Sequence, residues 1–500
     1  MSTITKQKAA MASQEVSIRS IIAPLLAVIV GMIMVILDST IVNVALPGLV
    51  TTFNSTLSTM QWTITGYTLA LSAVIPLAGW MTDRFGAKRI FLITIAFFTL
   101  GSLLCSIAQT PEQLILYRVI QGIGGGMVAP IGMAMIFRLA PPGKMGAVMG
   151  VLGIPMLLAP ALGPILSGWL IEFATWHWIF LINLPIGIVG IIVGIRYLPN
   201  VERKSVPSLD IIGMVLGPIA FASLAYGVSE GGRVGWSSTQ ALIGLIVGGV
   251  ALLLFIIVEL RQKQPLLELR VFSSSDFTRG IVISWIAQIA MFGAIVLIPF
   301  FLQTVRGYSS FHTGLIMLPQ ALAAGIFMPI GGRLFDKIGA RPLAITGLSV
   351  ITVALFLLSR ITLETTLFMV MLPLALIGCG MGLSMMAINT HVLQSAPRRL
   401  VSRVTPLTTA AQQVMVSFAV AGLTGYLTTR ITEHSKGNVT AGNPLDASVA
   451  AFGDTFFLSA CIAVTGALVA LILRKPRKIK EDDEVSKEAD KTDAALMMGH

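Results

Sequence analysis

Residues 79–89 read GWMTDRFGAKR, and residues 332–342 read GRLFDKIGARP. The two stretches align without a gap: Gly79 on Gly332, Asp83 on Asp336, Arg84 on Lys337, Gly86 on Gly339 and Lys88 on Arg341, with Arg89 closing the first. Each follows the second long apolar run of its half. One such loop alone is an ordinary basic turn, but two in register mark a duplicated chain. A second echo pairs Gly122, Gly124 and Gly126 with Gly378, Gly380 and Gly382.

Working outward from the repeat, 55% of the 500 residues are hydrophobic and only 11% are charged, against about 25% charged in soluble domains. Apolar runs of about 20 residues, each able to cross a hydrocarbon core as a helix, recur along nearly the whole chain. The composition therefore predicts an all-α polytopic membrane protein with fourteen spans, the first at 21–47 and the last at 452–473. The repeat divides it into a six-helix bundle at 1–200, two extra spans and linkers at 201–274, a second six-helix bundle at 275–475 and a charged tail at 476–500. The tail is too polar to bury a core and is expected to be disordered.

Placing both termini and every second loop in the cytoplasm gathers nearly all of the 34 Lys and Arg there; Arg233, Arg306, Arg360, Arg430 and Lys436 fall outside, and Arg118 falls within a span. By the positive-inside rule both termini face the cytoplasm. A net charge of +11 scattered over short loops lacks the single basic face of a nucleic-acid binder. Cys105, Cys379 and Cys461 lie inside apolar runs and read as small buried hydrophobes, with no metal site expected.

Within the first span, VILDSTIVNVALP (35–47) holds Asp38, the one formally charged residue between Arg19 and Asp83. A carboxylate deep in a bilayer costs a few kcal/mol, so it persists where it lines a cavity or meets a partner. Asp38 shares a helical face with Gly31, Met34 and Ala45, suited to a cavity wall. The spans of the second half are read as free of acidic residues, which makes Asp38 the one carboxylate of the path.

These stretches resemble the major facilitator superfamily, and within it the fourteen-span drug:proton antiporters of the EmrB/QacA type. LDSTIVNVALP (37–47) is similar to their first-span motif, GWMTDRFGAKR to the loop signature of the superfamily, and LYRVIQGIGGG (116–126) to the fourth-span motif with its arginine. APALGPILSGW (159–169) is similar to the fifth-span antiporter motif, with Ser167 where a glycine is common; WHWIFLINLPIGI (176–188) is similar to the sixth-span pattern, with His177 in place of an arginine.

The resemblance implies that Arg118 lies near Asp38, and that the pair carries proton coupling. It implies a conformational role for the Asp83 loop; for Asp336 a plain turn is an equal reading. Gly153, Pro155, Pro160, Gly163, Pro164 and Gly168 are expected to let the fifth span pack closely and kink. Gln288, Asn389, Gln412 and Gln413, and more weakly Trp62, Tyr67, Phe292 and Met317, are candidates for the substrate pocket.

The expected activity is proton-coupled export of amphipathic or hydrophobic compounds across the cytoplasmic membrane, driven by the proton gradient without a cofactor. One proton falling through about 100 mV supplies roughly 2.3 kcal/mol, and a pH unit adds about 1.4 kcal/mol. An ATP-driven pump is disfavoured because APPGKMG has Arg138 where a P-loop needs its first glycine. No HExxH or paired-acid pattern suggests an enzyme, and the two-bundle repeat speaks against a channel. The nearest rivals are an exporter of an endogenous lipid, siderophore or peptide, and a nutrient symporter. An accessory export protein is left open.

Overall fold

A computed structural model describes residues 18–140, 144–200, 210–262, 265–397, 400–437 and 444–474. The tail expected at 476–500 lies outside the described residues, as do the side chains of Pro155, Pro160, Pro164 and Phe292. The first half comprises α1 (Ile18–Thr52), α2 (Leu57–Val74), α3 (Ala78–Phe85), α4 (Ala87–Ser106), α5 (Pro111–Leu139), α6 (Met145–Phe173), α7 (His177–Leu181) and α8 (Asn183–Tyr197). A hairpin follows, α9 (Ile211–Arg233) and α10 (Thr239–Arg261). The second half holds α11 (Ser275–Thr304), α12 (Ser310–Ile338), α13 (Ala340–Leu358), α14 (Leu367–Gln394), α15 (Val401–Gly437) and α16 (Pro444–Ala470).

Local chemistry starts and stops these helices. Thr110 caps α5 by accepting from the Gln113 amide at 3.3 Å, with Pro111 at the first helical position, where its missing N–H costs nothing. Ser238, Ser274 and Ser309 cap α10, α11 and α12 in the same way. Pro76 sits in the 3₁₀ turn Ile75–Leu77 that divides one span into α2 and α3. Gly86 and Gly339 take φ of 92° and 82° and end α3 and α12, so the sequence repeat is also a repeat in backbone conformation.

Among the described residues thirteen helices are long and apolar enough to cross a membrane; α2 with α3 counts as one, and α7 with α8 as another. The 29-residue α6 falls at the expected fifth span, so fourteen is an approximate count. Exposed apolar side chains such as Ile188, Ile192, Ile246, Val250 and Leu253 form surfaces that suit acyl chains better than water.

Helix α6 runs along α12, and α9 contacts both α2 and α15. The extra hairpin is therefore wedged between the halves: Trp62 of α2 stacks on Tyr226 of α9 at 6.1 Å, and Gly232 of α9 abuts Ala421 of α15. Against expectation, the second half does carry an acid within a span. Asp454 lies in α16 and pairs with Arg430 of α15 at 2.5 Å and with His434 at 2.8 Å. Arg430, expected in a loop, stands inside the long α15. Asp454 falls inside the last expected span, 452–473, so the reading of that span as free of acids is corrected; near the end of a span an ion pair still meets water.

Candidate transport site

Asp38 and Arg118 meet in the interior of the first half, at 0% and 1% exposure. Arg118 Nη1 donates to Asp38 Oδ2 at 2.5 Å and to Gln121 Oε1 at 2.6 Å, while its Nε donates to the Thr63 carbonyl at 3.1 Å. The other carboxylate oxygen, Oδ1, accepts from Gln121 Nε2 and Asn183 Nδ2, each at 2.8 Å. Asn183 also donates to Ser102 Oγ at 3.0 Å, and Ser102 donates to the Phe180 carbonyl at 2.9 Å. The guanidinium lies 4.0 Å above the Tyr67 ring, a cation–π contact that strengthens when water is excluded.

Four spans thus converge on one carboxylate. Burial of an ion pair succeeds only when the remaining lone pairs and N–H groups find partners, and removing one partner costs about 3–5 kcal/mol. Gln121, Asn183, Ser102 and Thr63 supply those partners and were not singled out in the sequence. Gln121 had a signal, since it stands one helical turn after Arg118; Asn183 had a fainter one as an amide inside WHWIFLINLP.

Helix α6 holds α1 beside this pair. A Cβ on Gly163 would collide with the Thr40 hydroxyl, and Ser167 Oγ donates to the Ile41 carbonyl at 3.0 Å. The serine standing where a glycine is common is therefore a tether. Farther along α6, Gly153 faces Met328 and Gly168 faces Phe311, both on α12. His177, off the path, contacts Thr175 Oγ1 at 3.3 Å and stacks on Trp176.

The repeated loops sit on one face. Asp83 is buried and accepts from Ser402 Oγ at 3.2 Å in the first turn of α15, with Arg403 at 3.6 Å and Arg138 at 3.7 Å. Asp336 is exposed and accepts from the amides of Gly146 at 2.8 Å and Ala147 at 3.0 Å, in the first turn of α6. Each aspartate thus reaches the positive end of a helix of the opposite half. The plain-turn reading of Asp336 does not describe this bond. Close approach accompanies it: a Cβ on Gly79 would lie 2.5 Å from the Ser402 carbonyl, and one on Gly332 would collide with that of Gly146. Arg84, Arg89, Lys337 and Arg341 are exposed there, and Lys88 Nζ donates to the Ile195 carbonyl at 2.7 Å.

Of the pocket candidates, Gln288, Asn389 and Gln412 come together. Gln412 Nε2 donates to Asn389 Oδ1 at 3.1 Å and to Ser284 Oγ at 3.3 Å. A cavity of about 10 Å³, bounded by Ser284, Gln288, Met291, Met385 and Asn389, is the space left beside them. Met317 is buried and Gln413 half-buried. Trp62 is 40% exposed against the extra hairpin, and Tyr67 supports Arg118 instead of lining that cavity.

Long apolar helices in two pseudo-repeated halves, latched across one face, with a buried polar site inside the first half, are the architecture of a membrane transporter. The chain belongs to the major facilitator superfamily, whose sequence pattern it matches over residues 28–420. It is 38% identical over 410 residues to an uncharacterized MFS-type transporter, YhcA, of Bacillus subtilis, covering 82% of this chain and 77% of that protein. It is 35% identical over 404 residues to a multidrug resistance protein B homolog of Mycobacterium tuberculosis, covering 80% and 75%. The lincomycin resistance protein LmrB of Bacillus subtilis is 32% identical over 483 residues, covering 93% and 98%. Among solved structures, the human organic anion transporter MFSD10 superposes with a TM-score of 0.62 at 14% identity over 89% of this chain and 98% of that one. The proton:xylose symporter XylE gives 0.61 at 16% identity over 91% and 96%. At these identities the solved structures establish the fold.

Proposed function

We propose that the protein exports amphipathic and hydrophobic compounds, drugs among them, across the cytoplasmic membrane in exchange for protons, by alternating access of the bundles at 1–200 and 275–475. Relatives named for multidrug and lincomycin resistance support the drug-export reading, and the fourteen-span antiporter resemblance supports proton coupling. The observation that carries it is the Asp38–Arg118 pair, wholly buried at 2.5 Å while the halves are latched on the face that the basic residues assign to the cytoplasm.

In this conformation the carboxylate is fully partnered and sealed. Parting the halves on either face gives water or substrate a way toward it. A proton taken up by Asp38 releases Arg118 from its counter-charge, and loss of that proton restores the pair. Substrate and proton thereby compete for one electrostatic site, and the alternating seal gives the exchange its direction. The apolar walls and neutral amides near Gln288 and Asn389 suit substrates recognised by shape and a few hydrogen bonds. The proton gradient supplies the energy, and no cofactor takes part.

The decisive experiment is uptake of a cationic amphipathic dye into inverted vesicles under an imposed pH gradient. Wild-type protein should accumulate the dye and Asp38→Asn should not. Uphill accumulation by Asp38→Asn as fast as by wild type would remove that residue from the coupling mechanism.

A further inference from the structure

At the start of the extra hairpin, on the same face as the two latches, a second group of buried acids lies far from Asp38 in the chain. Asp210, Glu259 and Glu268 are 6%, 1% and 6% exposed. Asp210 caps α9, its Oδ1 accepting from the Gly213 amide at 2.9 Å and from Gln262 Nε2 at 3.5 Å. Glu259, near the end of α10, accepts from the Leu267 amide through Oε2 at 3.3 Å.

Asp210 and Glu259 therefore each spend one oxygen on fastening the chain and turn the other inward. Asp210 Oδ2 and Glu259 Oε1 are buried, and among the described residues neither has a hydrogen-bond donor. Both converge on Gly213, where a Cβ would lie 2.5 Å from the first and 2.7 Å from the second. Only glycine leaves room for them. Two buried carboxylate oxygens that close to a single point, without a donor among the described residues, cost several kcal/mol as a doubly ionised pair. One hydrogen placed between them makes one a donor and the other its acceptor.

Among the described residues the charged groups around them do not supply that donor. Arg270 stands 4.0 Å from Glu268 and gives its Nη2 to the Leu260 and Gln262 carbonyls, at 3.1 and 2.6 Å. Arg261 is exposed. Among the described residues no group of three or more His, Cys, Asp or Glu is disposed to hold a metal ion.

We propose that Asp210 and Glu259 bind a single proton between them, directly or through one water, making the root of the extra hairpin a protonation site separate from Asp38. With the proton bound, α10 and the segment of chain leading to α11 are fastened to the start of α9, which is itself packed against both halves. Without it, like charges are opposed in a buried place and this root loosens.

Infrared spectroscopy of the full-length protein in lipid at about pH 7 tests the site directly. A protonated-carboxyl stretch that shifts in deuterated water should be present in wild type and in Asp38→Asn, and lost in both Glu259→Gln and Asp210→Asn. Absence of the band from wild type, or its survival in both variants, overturns the proposal. Thermal unfolding gives a second readout. The folded protein holds a proton that the unfolded chain releases at neutral pH, so wild type should lose stability as pH rises through alkaline values. Glu259→Gln, whose amide donates permanently, should match wild type at neutral pH and stay flat above it. A destabilised Glu259→Gln with the wild-type pH slope would show instead a carboxylate neutralised by a basic side chain, and would equally overturn the shared proton.

Discussion

Asp336 and Gly146 are joined across the two halves by a 2.8 Å hydrogen bond from the Gly146 amide to Asp336 Oδ1. Asp83 and the first turn of α15 make the reciprocal contact through Ser402 and Arg403. The second span of each half thus holds the start of the fifth span of the other, which is what a duplicated chain closing on itself produces. The two latches differ in burial: Asp83 is 3% exposed, whereas Asp336 is open to water. Charge-assisted hydrogen bonds of this kind contribute about 1.5–3 kcal/mol each, less where water competes.

The latches should act unequally on one equilibrium. Asp83→Asn is expected to shift the population toward opening on this face by about tenfold or more, each 1.4 kcal/mol being a factor of ten, and Asp336→Asn by less. Spin labels on Arg84→Cys and Arg341→Cys, with the native cysteines replaced, report the separation by pulsed EPR. Distances that lengthen in the double variant but not in Asp83→Asn alone would contradict this order.

Glycine contacts on the same face lead to a sharper expectation, because the obstructing atoms are backbone. Gly332→Ala sets a methyl against the Gly146 carbonyl, and Gly79→Ala sets one 2.5 Å from that of Ser402. Neither carbonyl can rotate away, so the halves must part. Both variants should fold, lose most transport and show the same lengthened distances as the latch variants. Gly249→Ala on α10, with nothing within 4 Å of its Cβ, is the matched control and should transport normally.

The buried pair yields a prediction in which stability and function separate. Arg118→Gln leaves Asp38 without its counter-charge and should destabilise by about 3–5 kcal/mol. Adding Asp38→Asn removes the orphaned charge, and the double variant should recover much of that loss in a thermal unfolding assay. Proton-driven transport should stay absent in the double variant. Recovery of transport together with stability would assign the pair a purely structural role.

Much of this arrangement was legible in the chain because membrane insertion leaves a plain record. Asp38 and Arg118 stand out as charges where charges are costly, and the two GxxxD loops announce the duplication before any contact is known. The neutral partners around Asp38 were much less legible. Gln121 and Asn183, which donate to it, and Ser102 behind them are neutral, so their residue types alone do not distinguish a partner of a buried carboxylate from an amide or hydroxyl packed in any helix bundle. Arg430 misled for a different reason, since α15 spans 37 residues and carries it beyond the apolar run that marked the span, whereas Asp454 stands within the expected span 452–473 and was overlooked there. The place of the extra hairpin, set by surface fit between α9, α2 and α15, has no periodic signature at all.

Tyr67 was a candidate for the substrate pocket, and its position beneath Arg118 predicts something else. The ring faces the guanidinium at 4.0 Å, and its hydroxyl is buried without a partner among the described residues. A desolvated cation–π contact is worth up to about 2 kcal/mol, whereas deleting a buried hydroxyl that has no partner is nearly neutral or stabilising. Tyr67→Phe should therefore keep wild-type stability and transport, and Tyr67→Leu should lose stability and slow turnover. A residue that touches substrate changes KM differently from one compound to the next. One that supports Arg118 lowers kcat by a common factor for all of them, and dye-by-dye kinetics of Tyr67→Leu distinguishes the two; KM changes confined to certain dyes would return Tyr67 to the pocket.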